Sequence, residues 1–181
     1  MPSVLENRYQ ALQQTFYMIL KYFNKITLVV LFIIFLIDRI TKEYVIFLSN
    51  QNFSSEIFSS SFFNIILIWN DGIAFGLLSF EDNTIYNLIT IFISLIVIVL
   101  LFLISKSEKF KKYSYIIITG GALGNLFDRI IYNSVPDFID LHYNGFHWFI
   151  FNVADIFITI GIICLIYDEI FLEKKRNETI Y

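Results

Sequence analysis

Polar side chains that can do chemistry are concentrated between apolar runs in the second half of the chain. Within residues 120–155 they are Asn125, Asp128, Arg129, Asp137, Asp140, Asn152 and Asp155. A charged side chain at membrane depth costs about 2.5–3.5 kcal/mol on insertion scales, so charged residues in such segments usually serve a function. Their density here indicates a functional site.

Two of these acids, Asp137 and Asp155, have no neighbouring cation of their own in the sequence. Two carboxylates that face each other in a low-dielectric environment cannot both ionise, so one stays protonated while the other remains charged. Such a pair titrates as a unit and can activate a water and protonate a leaving amine, as peptide hydrolysis requires. The same acids would also suit a proton-coupled carrier, and the residues alone leave both alternatives open.

Amide and guanidinium groups accompany the acids. Asn125 shares a helix face with Asp128 and Arg129 because they are three and four residues apart, and Asn152 shares another with Asp155. Asn125 and Asn152 can hold a substrate backbone or orient the acids. Arg129 either pairs with Asp128 or clamps a substrate carbonyl.

A second polar group precedes this region. Asp38 and Lys42 are four residues apart, so they can form an ion pair that lowers the burial cost of both. Arg39 points to a different side of the same helix, and we expect it to extend outward to the membrane surface.

Composition places the chain among membrane proteins. Of its 181 residues, 57% are hydrophobic, whereas soluble domains usually contain about 45–50%. The net charge of -3 argues against nucleic acid as a partner. Cys164 is the one cysteine, which excludes an intramolecular disulfide. His142 and His147 have no carboxylate arranged as in a zinc site, so we expect ordinary loop residues, no metal and no cofactor.

The hydropathy pattern predicts an all-α membrane protein of four transmembrane helices with a small extracytoplasmic β-hairpin, in one domain over 1–181. The predicted spans, each near the roughly 20 residues needed to cross, are 26–47, 85–104, 113–132 and 149–171. The connections 48–84 and 133–148 contain no Lys or Arg, so both should face outward, with the termini and the middle loop cytoplasmic. Residues 1–22 are either a surface helix or a poorly ordered terminus.

The first outer loop carries a hairpin signal. Residues 61–78 are rich in Phe and Ile and contain the turn sequence Asn70-Asp71-Gly72, which predicts strand, turn and strand. A lone pair of strands is marginal, so this hairpin should pack on helix ends and pair with the 133–148 loop. From the helical rise, all the unusual polar residues should lie at one level, near the outer membrane boundary.

Several ordered blocks resemble the lipoprotein signal peptidases of bacteria, also called signal peptidase II. Residues 38–42 (DRITK) resemble the family block Asp-Gln-x-x-Lys, and 70–76 (NDGIAFG) resemble Asn-x-Gly-x-Ala-Phe. Residues 120–129 (GGALGNLFDR) match the block Gly-Gly-Ala-x-Gly-Asn-x-x-Asp-Arg. Residues 135–138 (VPDF) and 151–155 (FNVAD) resemble the last two blocks. Arg39 departs from the usual glutamine.

The resemblance implies an intramembrane aspartic peptidase that cuts prolipoproteins before a diacylglyceryl-modified cysteine. It places the catalytic acids at Asp137 and Asp155 and implies inhibition by globomycin. The residues that would line the substrate site are Asn70, Asn125, Arg129 and Asn152, and those that would support it are Asp38, Lys42 and Asp128. It also implies a multi-pass protein of the bacterial cytoplasmic membrane, with membrane lipid as a partner and the site at the outer face. A monomer is the simplest expectation.

Two other functions are compatible with the residues. A small transporter or channel subunit would use Asp128, Asp137 and Asp155 as a proton or ion relay, and a membrane chaperone would carry a structural polar cluster. A serine-type intramembrane peptidase is disfavoured, because the sequence contains no Gly-x-Ser-x-Gly block.

Overall fold

The computed structural model describes residues 6, 8–10, 13–14, 24–72 and 83–172. From residue 24 onward the elements are α1 (Lys25–Asn52), β1 (Glu56–Phe58), β2 (Phe63–Asn70), α2 (Asn83–Lys106), α3 (Lys109–Tyr132), β3 (Val135–Tyr143), β4 (Phe146–Phe151), α4 (Val153–Tyr167) and a π-helical turn at Asp168–Leu172. Most of residues 1–22 and the predicted second strand after Gly72 lie outside the described residues.

Local sequence explains where the helices begin and end. At the start of α1, the Thr27 backbone N–H donates to Asn24 Oδ1 at 2.8 Å, which satisfies one of the amide groups left free in a first helical turn. The first and third helices are followed by Phe53 and Asn133, both in the left-handed conformation that commonly terminates helices. The fourth helix begins with a reciprocal capping box between Asn152 and Asp155.

The strands form one antiparallel sheet in the order β1-β2-β3-β4. The outer loop does pair with the 133–148 segment as predicted, because β2 runs against β3 with Asn70 opposite Val135. A second turn signal was missed: β3 and β4 are joined at Asn144 and Gly145, which have φ angles of 49° and 78°. Positive φ at both central residues favours Asn-Gly, so this pair closes the hairpin.

Two sequence predictions need correction. The chain is mostly helical, as predicted, but it contains a sheet of four strands where the sequence predicts one small β-hairpin. The span predicted for 149–171 is also wrong at its start, since Phe149 to Phe151 belong to β4 and the helix begins only at Val153. A short apolar segment of this kind is compatible with either a buried helix or a strand, and pairing with β3 makes it a strand.

Small residues let α3 approach α1 and α4 closely. A Cβ on Gly121 would lie 2.5 Å from the carbonyl oxygen of Ala154 in α4, and one on Gly120 would lie 2.8 Å from Ile34 in α1. Close approach through small residues is typical of helices that associate in membranes. This packing holds the polar faces of the first, third and fourth helices together.

Outward-facing surfaces of the helices are apolar, with Phe92, Ile98 and Leu88 each about three-fifths exposed. Among the described residues, Thr84–Lys106 is the one helix that meets both the length and the hydropathy expected of a membrane span. The first and third helices instead carry buried charged residues.

Candidate active site

Lys42 is the centre of a buried ionic network. Its ammonium group donates to Asp38 Oδ2 at 2.8 Å, to Asn125 Oδ1 at 2.8 Å and to Asp128 Oδ2 at 2.7 Å. An ammonium group has three N–H donors, so all three are satisfied. Lys42, Asp38 and Asp128 are fully buried, and the predicted pairing of Asp38 with Lys42 is confirmed.

Asp38 also connects the first helix to the fourth. Its Oδ1 accepts a hydrogen bond of 3.0 Å from the backbone N–H of Ala154, in the first turn of α4. The first amide groups of a helix lack partners within the helix and carry its positive dipole end, so a carboxylate there is favourable. Gly124 makes room for this carboxylate, because a Cβ at that position would lie 2.3 Å from Asp38 Oδ2.

Asn125 connects the ionic network around Lys42 to Asp155. Its side-chain oxygen accepts from Lys42, and its Nδ2 donates to Asp155 Oδ1 at 2.8 Å. Since the ammonium can only donate, the orientation of the amide is fixed by its partners. The second oxygen of Asp155 accepts from the backbone N–H of Asn152 at 3.1 Å. Asp155 is therefore held rigidly at the start of α4.

Asp137 is held from both sides by amides. It lies in β3, where Asn70 Nδ2 donates to its Oδ2 at 2.8 Å and Asn152 Nδ2 donates to its Oδ1 at 2.6 Å. Asn152 thus contacts both acids, because its Oδ1 also accepts from the backbone N–H of Asp155 at 3.1 Å. One asparagine at the junction of β4 and α4 therefore positions Asp137 relative to Asp155.

A single cleft of about 510 Å³ is lined by all six residues that the sequence assigns to catalysis and substrate binding. They are Asn70, Asn125, Arg129, Asp137, Asn152 and Asp155. The rest of the wall is largely apolar and includes Ile93, Ile96 and Ile162 from α2 and α4. The three predicted supporting residues lie behind this wall, in the network around Lys42.

The electrostatics of Asp137 are unusual. Burial, and secondarily the negative charge of Asp155, raises the pKa of the Asp137 carboxyl from 3.8 to about 7, although the amide hydrogen bonds from Asn70 and Asn152 oppose the increase. A carboxyl with such a pKa carries its proton for part of the time at neutral pH. It can therefore act as a general acid where an ordinary aspartate cannot.

Comparison with known proteins identifies the family. Residues 30–171 match the family model described as signal peptidase (SPase) II. The chain belongs to the signal peptidase II family. It is 52% identical over 154 residues to the lipoprotein signal peptidase of Pelagibacter ubique, covering 84% of this chain and 93% of that relative. It is 38% identical over 145 residues to the lipoprotein signal peptidase of Anaplasma marginale, covering 79% and 83%.

Two solved structures have a similar fold. Two structures described as a bacterial membrane enzyme are similar to this chain, each with a TM-score of 0.66 and 30% identity. The similarity covers 86% of this chain and 93% of the first structure, and 83% and 96% for the second. This member of the family is therefore a bacterial membrane protein and a peptidase.

The structure corrects the prediction for Arg39 and removes one of the two alternatives for Arg129. Arg39 does not extend outward: it is buried, pairs with Asp128 and lies over the Phe127 ring at 5.1 Å. Arg39 thus serves as a second counterion for Asp128. Arg129 does not take that position, and its guanidinium instead donates to the Gly72 carbonyl.

Tyr86 is a site residue that sequence reasoning missed. The Arg129 guanidinium lies 5.5 Å from the centre of its ring, and its hydroxyl donates to the Arg129 carbonyl at 3.1 Å. A tyrosine at the outer end of the span predicted for 85–104 was the available signal. Tyr86 therefore fixes where Arg129 enters the cleft.

The two histidines are not the loop residues that the sequence predicts, because both lie on strands. His142 and His147 lie opposite each other on β3 and β4, with ring centres 4.9 Å apart. His147 Nδ1 is 2.9 Å from Asp140 Oδ2, and His142 Nδ1 is 3.8 Å from the same oxygen. The prediction that no carboxylate is arranged with the histidines as in a zinc site is wrong, because the pairing of β3 with β4 places His147 opposite His142 and close to Asp140.

Proposed function

We propose that this protein is an aspartic endopeptidase that removes signal peptides from diacylglyceryl-modified prolipoproteins, cutting before the lipidated cysteine. The observation that carries the proposal is the placement of Asp137 and Asp155 on one cleft, both held by Asn152, with a raised pKa for Asp137. The names of the relatives support the substrate class.

The two acids are assigned different starting states. Asp155 lies in the first turn of α4 and accepts two N–H donors, from Asn125 and from the Asn152 backbone, which together with the helix dipole stabilise its ionised form. Asp137 lies on a strand, without a helix N-terminus beside it, and its burial and the negative charge of Asp155 favour its protonated form. We therefore assign Asp155 as the initial base and Asp137 as the initial acid.

The chemistry follows from these states. Asp155 takes a proton from a water as its oxygen attacks the scissile carbonyl carbon, while Asp137 donates its proton to the carbonyl oxygen, which gives a neutral gem-diol. Asp155 then transfers its proton to the amide nitrogen, the C–N bond breaks, and a gem-diol hydroxyl returns a proton to Asp137. Both acids are then in their starting states, and neither metal nor cofactor is required.

Substrate contacts are proposed for the amide and guanidinium groups on the cleft. Two guanidinium atoms of Arg129, Nε and Nη1, are buried and have no hydrogen-bond partner within the part of the chain that the structure describes. They can donate to a carbonyl of an extended substrate peptide. Asn70, Asn125 and Asn152 keep the acids oriented, while Asp38, Lys42 and Asp128 support Asn125 from behind.

The proposal includes a membrane arrangement. We propose four transmembrane helices, both termini in the cytoplasm and the site at the outer face of the bacterial cytoplasmic membrane. Lys106, Lys109 and Lys112 lie at the α2–α3 connection, at the opposite end of α3 from Arg129, which supports this orientation. The cleft is bounded by apolar side chains, which suits a lipidated peptide that arrives laterally from membrane lipid. One chain carries all of these groups, so the active unit is a monomer.

Cleavage of a lipidated prolipoprotein by the purified protein in detergent tests the proposal. We expect cleavage before the lipidated cysteine, inhibition by globomycin, and loss of cleavage in Asp137→Asn and in Asp155→Asn separately. Asp71→Asn, which changes an exposed acid directly after β2, is the matched control and should retain activity. Cleavage retained in either dyad variant would refute the catalytic assignment, whereas an ion relay predicts no proteolysis at all.

A further inference from the structure

A group of three possible metal ligands lies outside the cleft. Asp140, His142 and His147 each offer one ligand atom, and these atoms lie within 4.8 Å of one another. We propose that they form a binding site for a divalent transition-metal ion of the zinc class. Two imidazoles with one carboxylate suit zinc and its neighbours in the first transition row, whereas calcium and magnesium prefer oxygen ligands only.

The sheet brings the ligands together through an irregular register. Ile139 pairs with Phe151 and Asp140 with Ile150, and an uninterrupted ladder would continue to Trp148 opposite His142. A register shift between Asp140 and His142 places His147 there instead. Bulges of this kind re-aim side chains and are frequent beside functional sites.

The carboxylate is already oriented for this role. Asp140 is fully buried, and Asn64 of β2 donates to its Oδ2 at 2.9 Å, which holds the carboxylate with Oδ1 facing His147 Nδ1 at 3.0 Å. Hydrogen bonds from a second layer of residues commonly fix metal-binding side chains in this way. His142 adds an independent indication, because its Nδ1 is buried and has no hydrogen-bond partner among the described residues.

Only a small adjustment is needed to close the site. Metal–ligand bonds of about 2.0–2.2 Å place the ligand atoms of a tetrahedral ion roughly 3.4 Å apart. His147 Nδ1 is 3.0 Å from Asp140 Oδ1, and the His147 side chain is 54% exposed, so it can rotate and can admit an ion from solvent. Three protein ligands with a water in the fourth position complete the coordination.

The site has a defined position relative to the cleft. β3 carries Asp137 three residues before Asp140, and β4 leads from His147 to Asn152. An ion held between His142 and His147 would therefore tie together the two strands that present the acid and its asparagine. The proposal concerns binding, and its test is independent of whether the chain cleaves a prolipoprotein.

The test is titration of Zn²⁺ into the purified, chelator-treated protein without a histidine tag, followed by calorimetry. Zinc binding at other residues should be weak, because the chain has only two histidines and one cysteine in total. We expect one ion per chain, binding at least about 10-fold weaker in His142→Asn and in His147→Asn, and unchanged binding in the matched controls Tyr143→Phe and Cys164→Ser. Zinc should also raise the unfolding temperature of the wild type but not of His147→Asn.

X-ray absorption at the zinc edge provides a readout that needs no variant. The proposal expects two imidazole ligands and oxygen ligands at about 2.0–2.2 Å in the wild-type protein. Absence of stoichiometric binding, a sulfur ligand, or binding that is unchanged in both histidine variants would overturn it. If the His142→Asn variant does not fold, the His147→Asn variant and the absorption spectrum of the wild type test the proposal.

Discussion

Replacing Asp137 with asparagine should inactivate the protein and at the same time stabilise it above neutral pH. The pKa of this carboxyl is raised from 3.8 to about 7, so the folded state binds its proton more tightly than the unfolded state does. Stability must then fall as pH rises through this interval. A difference of about 3 pKa units at 1.36 kcal/mol each amounts to about 4 kcal/mol at pH 8.

The asparagine variant avoids this cost but loses part of the hydrogen bonding. Asp137 accepts from both Asn70 and Asn152, whereas an asparagine has one side-chain acceptor oxygen, so one amide donor loses its partner at a cost of about 1–3 kcal/mol. The net gain at pH 8 is about 2 kcal/mol, which corresponds to roughly 4–8 °C in unfolding temperature for a chain of this size. At pH 4 the ionic cost vanishes, and the variant should be the less stable protein.

Thermal unfolding of purified protein in detergent at pH 4, 6 and 8 measures this crossover. Asp71→Asn serves as the control, because its carboxylate is exposed and its replacement should leave the unfolding temperature nearly unchanged at each pH. If Asp137→Asn lowered the unfolding temperature by the same amount at every pH, the reasoning would fail. The carboxylate would then be a structural hydrogen-bond partner and not a desolvated active-site acid.

Three further outcomes are expected. Lys42→Met should destabilise the protein by about 3–5 kcal/mol, because it leaves buried carboxylates without their cation. Lys111→Met, which removes only an exposed ion pair, should cost less than about 1 kcal/mol in the same unfolding assay. Gly124→Ala should lower stability by about 1–3 kcal/mol through a clash with Asp38, and a variant that unfolds at the wild-type temperature would contradict the clash. The cleavage rate should decline as pH rises above about 7 and Asp137 loses its proton, and a rate that is still rising at pH 9 would exclude it as the initial acid.

Several features could be predicted because they depend on residues close together in the sequence. The pairing of Asp38 with Lys42 follows from a four-residue spacing on one helix face. The helices also follow from long apolar segments. The ordered blocks around the acids predicted which residues lie on the cleft, and the structure brings all six of those side chains to it. Their chemical roles remain predictions for the cleavage assay.

Features that depend on contacts between distant segments could not be predicted. Arg39 was expected to extend outward, since a helical wheel of α1 does not reveal that α3 presents Asp128 to it. The start of the fourth helix was misplaced because the apolar residues of β4 are compatible with either helix or strand until β3 pairs with them. In both cases the deciding interaction, a helix–helix ion pair or a strand pairing, is not encoded in local hydropathy or helical periodicity.

The amino-acid sequence by itself determined which segments are apolar, which acids lie between them, and the family that their ordered blocks resemble. The tertiary structure decided that three acceptors from two helices converge on Lys42, that Asn152 contacts both Asp137 and Asp155, and that a shifted strand register sets His147 against His142. The physical reason is that hydropathy and helical periodicity are local properties. Burial, hydrogen-bond partners and pKa depend on which side chains the packed helices and paired strands bring within a few ångströms.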